Sequence, residues 1–178
     1  ETRFSDDAAV HRAAVEKLRE ALGLATAPRR IECFDISTIQ GSDTVGAMAV
    51  SEDGRMVRRE YRKYLVRQNG GTGNPDDFAA MHEVILRRYR RLLEEGGPFP
   101  DLVIVDGGKG QLSAAYGAFQ ELGLGNLVAI GIAKREELVV MRDRSDPIAL
   151  PSSSVALHML QRVRDEAHRF AVTFHRKA

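Results

Sequence analysis

The run DLVIVD at 101–106, closed at once by Gly107-Gly108-Lys109-Gly110, constrains the fold more than any other segment of this chain. Its apolar residues are uninterrupted and mostly β-branched, and the run is too short for a helix. With no polar face to offer water, it reads as a strand covered on both sides, the kind found in parallel sheets flanked by helices. The run ends in an acid. Ligand sites of open α/β sheets lie beyond the carboxyl ends of parallel strands. Asp106 is therefore a candidate site residue, against the plainer reading that it only shapes the Gly-Gly turn.

The segments before it set the context. Residues 5–22 have helical periodicity, with Ala9, Val10, Ala13, Ala14, Lys17 and Leu18 on one side and Ser5 or Asp6 as cap. Gly23 and Pro28 end this helix, and 1–28 is expected to be a leading helix and linker ahead of a domain at 29–178. Residues 30–36, 44–50 and 56–66 read as three strands in an antiparallel meander. The turn Glu52-Asp53-Gly54 carries the Asp-Gly hairpin signal, and the basic third strand suits a sheet edge. A glycine-rich loop at 68–73 precedes a helix that Asn74 should cap with Pro75 at its first position. Phe78, Met81, Ile85, Tyr89 and Leu92 form its apolar stripe up to Gly96-Gly97-Pro98.

After the central strand, a helix at 111–122, a second buried strand at 127–133, a short hairpin at 137–141 and 147–150, and a helix at 152–171 complete the order. One of Ser152 to Ser154 should cap that last helix. Three antiparallel strands followed by αβαβα is a ribonuclease H-like order: an α/β fold with a mixed sheet flanked by helices.

A chain of 178 residues can bury a core without disulfides or metals, and its single cysteine, Cys33, excludes a disulfide framework. A reduced, cytoplasmic setting is the expectation. No apolar run approaches the ~20 residues that cross a membrane. The first residue is Glu1 rather than Met, so the chain is expected to be a fragment. Net charge is only +1, but basic residues cluster at 55–67, at Arg87, Arg88, Arg90 and Arg91, and at Arg162, Arg164, Arg169, Arg176 and Lys177. Such clusters could meet phosphates or be a solvated face.

Asp35 lies inside the apolar strand Cys33-Phe34-Asp35-Ile36, where a carboxylate is costly unless paired or bound to a cation. If that strand pairs with 101–106, Asp35 and Asp106 come side by side. Their repulsion then calls for a cation, and Mg²⁺ or Mn²⁺ suits such an oxygen-rich site. His168, near the end of the last helix, could be a ligand or proton carrier, although a helical histidine is more often structural. Asp165, three residues before it, could orient it. Gly107-Gly108-Lys109-Gly110 is not a nucleotide-binding P-loop, and His82-Glu83 lacks the second histidine of a zinc-protease helix. On the residues alone, a nuclease, another ribonuclease H-like recombinase core and a non-catalytic docking domain all remain open.

The strings IECFDIS, YRKY, DDFAAM, PDLVIVDGGKGQL and LQRVRDEAHRFAVTFHR closely resemble the endonuclease domain in the C-terminal half of UvrC, the nuclease subunit of bacterial nucleotide excision repair. The likeness runs collinearly over about residues 29–177. It implies a ribonuclease H-like nuclease with Asp35, Asp106 and His168 as a catalytic, metal-holding set, and a further activity-linked aspartate at Asp77. It also implies the 5′ incision in damaged double-stranded DNA, made in complex with UvrB. The N-terminal nuclease, the UvrB-contacting segment and a helix-hairpin-helix module are then expected to lie outside this chain. Lys109, Arg164 and Arg169 are candidate DNA contacts. Thr38 departs from the family, which usually has histidine there.

Overall fold

The computed structural model describes residues 2–39, 43–67, 76–134 and 136–177. Its elements are α1 (Thr2–Leu22), β1 (Arg30–Ile39), β2 (Asp43–Glu52), β3 (Arg55–Met56), β4 (Arg62–Arg67), α2 (Asp77–Glu95), β5 (Leu102–Asp106), α3 (Lys109–Glu121), β6 (Ala129–Ile132), β7 (Val139–Met141) and α4 (Val155–Lys177). One mixed sheet runs β3-β2-β1-β5-β6-β7, with β4 also paired to β2. The β1–β2, β2–β4 and β6–β7 pairs are antiparallel, while β1–β5 and β5–β6 are parallel. The expected mixed sheet is thus present, with β5 in its middle and its apolar residues buried on both sides.

Strand period decides which helix each face of β1 meets. Glu32 and Phe34 face α2, where both meet Tyr89. Asp35, on the opposite face, meets α4 through His168. The hairpin between β2 and β3 turns on Asp53 and Gly54, both with positive φ (52° and 85°), the backbone form that the Asp-Gly pair favours.

Several expectations need correction. The third strand is not continuous: β3 and β4 are separated by a 3₁₀ turn at Arg58–Glu60. The β2 register shifts by three residues between the Ser51↔Met56 and Met48↔Arg62 pairs. The extra residues loop out and carry Tyr61 inward, where its hydroxyl donates to Glu166 on α4 at 2.8 Å. Helix α1 starts before Ser5 and Asp6, so neither caps it. Its packed face is Ala14, Val15, Leu18, Ala21 and Leu22, while Val10 is 66% exposed. The glycine-rich loop at 68–73, and Asn74 and Pro75, lie outside the described residues. Helix α2 is capped by Asp76, whose side chain accepts from the Ala79 N–H. Of its stripe, Phe78 is exposed and the others are buried. Segment 147–150 is not a strand; Ile148 makes a single bridge to Val139. Ser154 caps α4, accepting from the Leu157 N–H.

Gly131 on β6 ties the sheet to the turn after β5. A Cβ there would lie 2.6 Å from the Gly107 carbonyl oxygen, and backbone cannot swing aside as a side chain would. Gly131→Ala is expected to lower stability by about 1–3 kcal/mol. Gly125→Ala, where a Cβ meets nothing within 4 Å, should be close to neutral. Urea unfolding of both variants checks this, and equal midpoints would refute the close approach.

Candidate active site

The β1–β5 register pairs Phe34 with Val105, so the next step along both strands sets Asp35 beside Asp106. Asp35 is 2% exposed. Its Oδ2 accepts from the Ser37 hydroxyl at 2.9 Å and lies 3.3 Å from His168 Nδ1. Asp106 pairs with Ile132 of β6 on its other side. Its Oδ1 is buried and has no hydrogen-bond partner among the described residues.

Two acids in reach of one proton cannot both ionise freely. Burial first, then the hydrogen bond to Asp35 and the repulsion of its charge, push the Asp106 carboxyl up to about 6. Lys134 and Arg164 pull the other way. Among the described residues no three His, Cys, Asp or Glu side chains stand ready as a ligand set. Two carboxyls converge, and the imidazole is engaged with one of them. His168 is otherwise open, its side chain 62% exposed.

Residues 19–172 match the family described as the UvrC RNAse H endonuclease domain. The chain belongs to this family. It is 54% identical over 162 residues to the UvrABC system protein C of Gloeobacter violaceus, covering 90% of this chain and 26% of that protein. It is 48% identical over 178 residues to that of Acidobacterium capsulatum, covering 99% of this chain and 27% of that protein. The chain therefore spans about a quarter of the length of these curated relatives. Among solved structures, the endonuclease V of Bacillus subtilis is similar with a TM-score of 0.51 at 14% identity, covering 84% of each chain. That likeness bears on the fold, which is ribonuclease H-like.

The other residues singled out in this UvrC-type endonuclease domain make no hydrogen bond or ion pair with Asp35 or Asp106 among the described residues. Asp77 opens α2, is exposed, and makes no hydrogen bond or ion pair with another described residue. Lys109 opens α3 and donates to the Ser145 carbonyl at 3.1 Å. Arg164 is held by Glu137 at 3.0 Å and Asp165 at 3.1 Å, with its side chain only 19% exposed. Asp165 thus pairs with Arg164, and the residue that engages His168 is Asp35. Arg169 pairs with Glu166 at 2.8 Å. Cys33 is buried in the core, and burial pushes its thiol up.

Three nearby residues escaped sequence reasoning. Ser37 lies two places along β1 from Asp35, on the same face, which period two could have indicated. Gln111 packs over Gly107 and carries a buried Oε1 with no hydrogen-bond partner among the described residues. Glu137 has a positive φ of 52° and accepts from both Gln161 and Arg164 of α4. No local signal marks the last two, because both roles depend on chain-distant packing.

The raised Asp106 carboxyl has a signed effect on stability. Between about pH 4, where an unfolded aspartate ionises, and about pH 6, the native state keeps a proton that the unfolded chain has released. Stability is therefore lost as pH rises through that window. Without divalent cations, Asp106→Asn should become progressively more stable than the parent from about pH 4 to about pH 6. Thermal midpoints across that range measure it, and a difference constant with pH would remove the coupling.

Proposed function

We propose that this domain makes the 5′ incision in damaged double-stranded DNA by divalent-metal-dependent phosphodiester hydrolysis, acting with the UvrB–DNA complex. The observation that carries this reading is the Asp35–Asp106 pair, with its buried, unpartnered Asp106 Oδ1. An orphan carboxylate oxygen beside a second carboxylate fits a hard cation such as Mg²⁺ or Mn²⁺. Asp35 and Asp106 would hold it, with His168 completing or supporting the site. When bound, the cation supplies Lewis-acid stabilisation of charge on the phosphoryl oxygens and eases deprotonation of the attacking water.

The protein groups then have distinct tasks. With its Nδ1–H donated to Asp35, His168 keeps the Nε2 lone pair free. That nitrogen can take the proton of the attacking water. The water oxygen bonds phosphorus, and one phosphorus–oxygen ester bond breaks. Ser37 would help to hold Asp35 in place, donating to the same Oδ2 that His168 engages. Lys109, exposed at the start of α3, would meet a phosphate. Arg164 and Arg169 are enlisted in ion pairs of their own, which ranks them below Lys109 as DNA contacts. Asp77 would act from the neighbouring N-terminus of α2, and its part in activity is the smallest of the four acids and bases named.

The test is incision of a lesion-bearing duplex by the full-length subunit with UvrA and UvrB. His168→Ala is expected to slow 5′ incision by about 10²–10⁴-fold. Asp35→Ala and Asp106→Ala should cost at least as much, and Asp77→Ala less. Incision at near the parent rate in any of the first three refutes that residue's role. Separately, Mn²⁺ should raise the thermal midpoint of the parent domain and not that of Asp35→Ala or Asp106→Ala. Equal shifts in all three would leave a docking scaffold without this metal site.

A further inference from the structure

Phe78 is the one phenylalanine or tyrosine among the described side chains that is exposed, at 55%. It takes no part in the core, which α2 closes with Ala80, Met81, Val84, Ile85, Tyr89 and Leu92. Yet its position is specific. A Cβ on Gly110 would lie 2.3 Å from Phe78 Cζ and 2.5 Å from Cε1, so the ring tip rests on the bare Cα of Gly110. Any other residue at 110 would push the ring away. The first turn of α3 thus seats an apolar ring and leaves more than half of it in water.

The seat lies within short reach of the carboxylate pair. Gly110 follows Asp106 by four residues, which puts it no more than about 14 Å away along the chain. Lys109 is its neighbour on one side, and Asp77 precedes Phe78. An exposed ring contributes little to folding, since most of its apolar surface stays wet. A ring beside a cation is the usual pairing for gripping a nucleic-acid strand whose bases are unstacked: the cation meets the phosphate and the ring meets a base.

We propose that Phe78 is a stacking platform for an unpaired base of the DNA strand whose backbone passes the Asp35–Asp106 pair. This rests on the nuclease reading above and adds a base-contacting residue to it. A base inside intact duplex has both faces covered, so the platform selects strands that are locally unpaired.

The chain has no tryptophan, so Phe78→Trp places a single indole at the seat. Titrating that variant at low salt with an oligonucleotide carrying unpaired bases should quench the indole. The same oligonucleotide made abasic across the unpaired stretch should not. Binding should weaken by about 5- to 150-fold in Phe78→Ala. Phe78→Leu, which fills the seat without a π-face, should be nearly as weak, and Phe78→Tyr should restore binding to within about threefold. On the abasic oligonucleotide the parent and Phe78→Ala should bind alike. Full restoration by leucine, or an equal loss on both oligonucleotides, would make the ring a structural plug and overturn the proposal. If the parent binds neither oligonucleotide at low salt, the DNA-handling reading itself fails and the platform with it. If the parent binds both and every Phe78 variant follows it, only the platform fails.

Discussion

Parallel pairing of β1 with β5 is the constraint from which the site hangs. The two strands are buried along their paired stretch, and each carries an aspartate just past it, Asp35 and Asp106. Register then does the placing. A one-residue slip of β1 would turn every side chain to the other face and exchange the helices that Phe34 and Asp35 meet. The alignment that keeps Ile31, Cys33 and Phe34 of β1 inside also brings Asp35 level with Asp106. Hydrophobic burial thereby holds together two groups that repel each other.

The same strand shows how differently a buried carboxylate can be treated. Glu32, on the face toward α2, is fully enclosed and fully satisfied: Arg30, Arg88 and the Tyr89 hydroxyl all donate to it. Arg30 in turn reaches Glu52 and Glu60. That network leaves no charge alone, which is what a buried ion cluster needs to be tolerated. Three residues on and on the opposite face, Asp35 receives a hydroxyl and an imidazole, while its neighbour Asp106 keeps an orphan oxygen. The contrast sets a satisfied carboxylate on one face of β1 against an incompletely satisfied carboxylate pair on the other.

The helices supply what the sheet lacks. Helix α4 brings His168 to Asp35 and, through Arg164, reaches the loop after β6 at Glu137. Helices α2 and α3 bring their N-termini together at Phe78 and Gly110. The basic clusters visible in the sequence are partly spent in this scaffolding: Arg88 on Glu32, Arg91 on Glu95, Arg169 on Glu166. Counting charges therefore overstates the surface open to phosphate.

Much of this was legible in the chain itself. Uninterrupted apolar runs marked the buried strands, Asp-Gly marked the hairpin, and Gly-Gly-Pro marked the end of α2, because each is a local consequence of backbone sterics and burial. The two aspartates stood out because an acid in an apolar strand is costly wherever the strand goes. His168 did not stand out on those grounds: nothing local separates a catalytic imidazole from an exposed one, and only family likeness singled it out. The break between β3 and β4 was hidden, since it depends on the β2 register and on a tyrosine reaching α4. The same holds for Ser37 as a partner of Asp35, for Asp165 turning to Arg164, and for Phe78, whose helical spacing predicted burial. Sequence determined which residues had to be inside and which carboxylates would be expensive there. Tertiary structure decided who meets them, because partnership is set by register and helix docking between segments far apart in the chain.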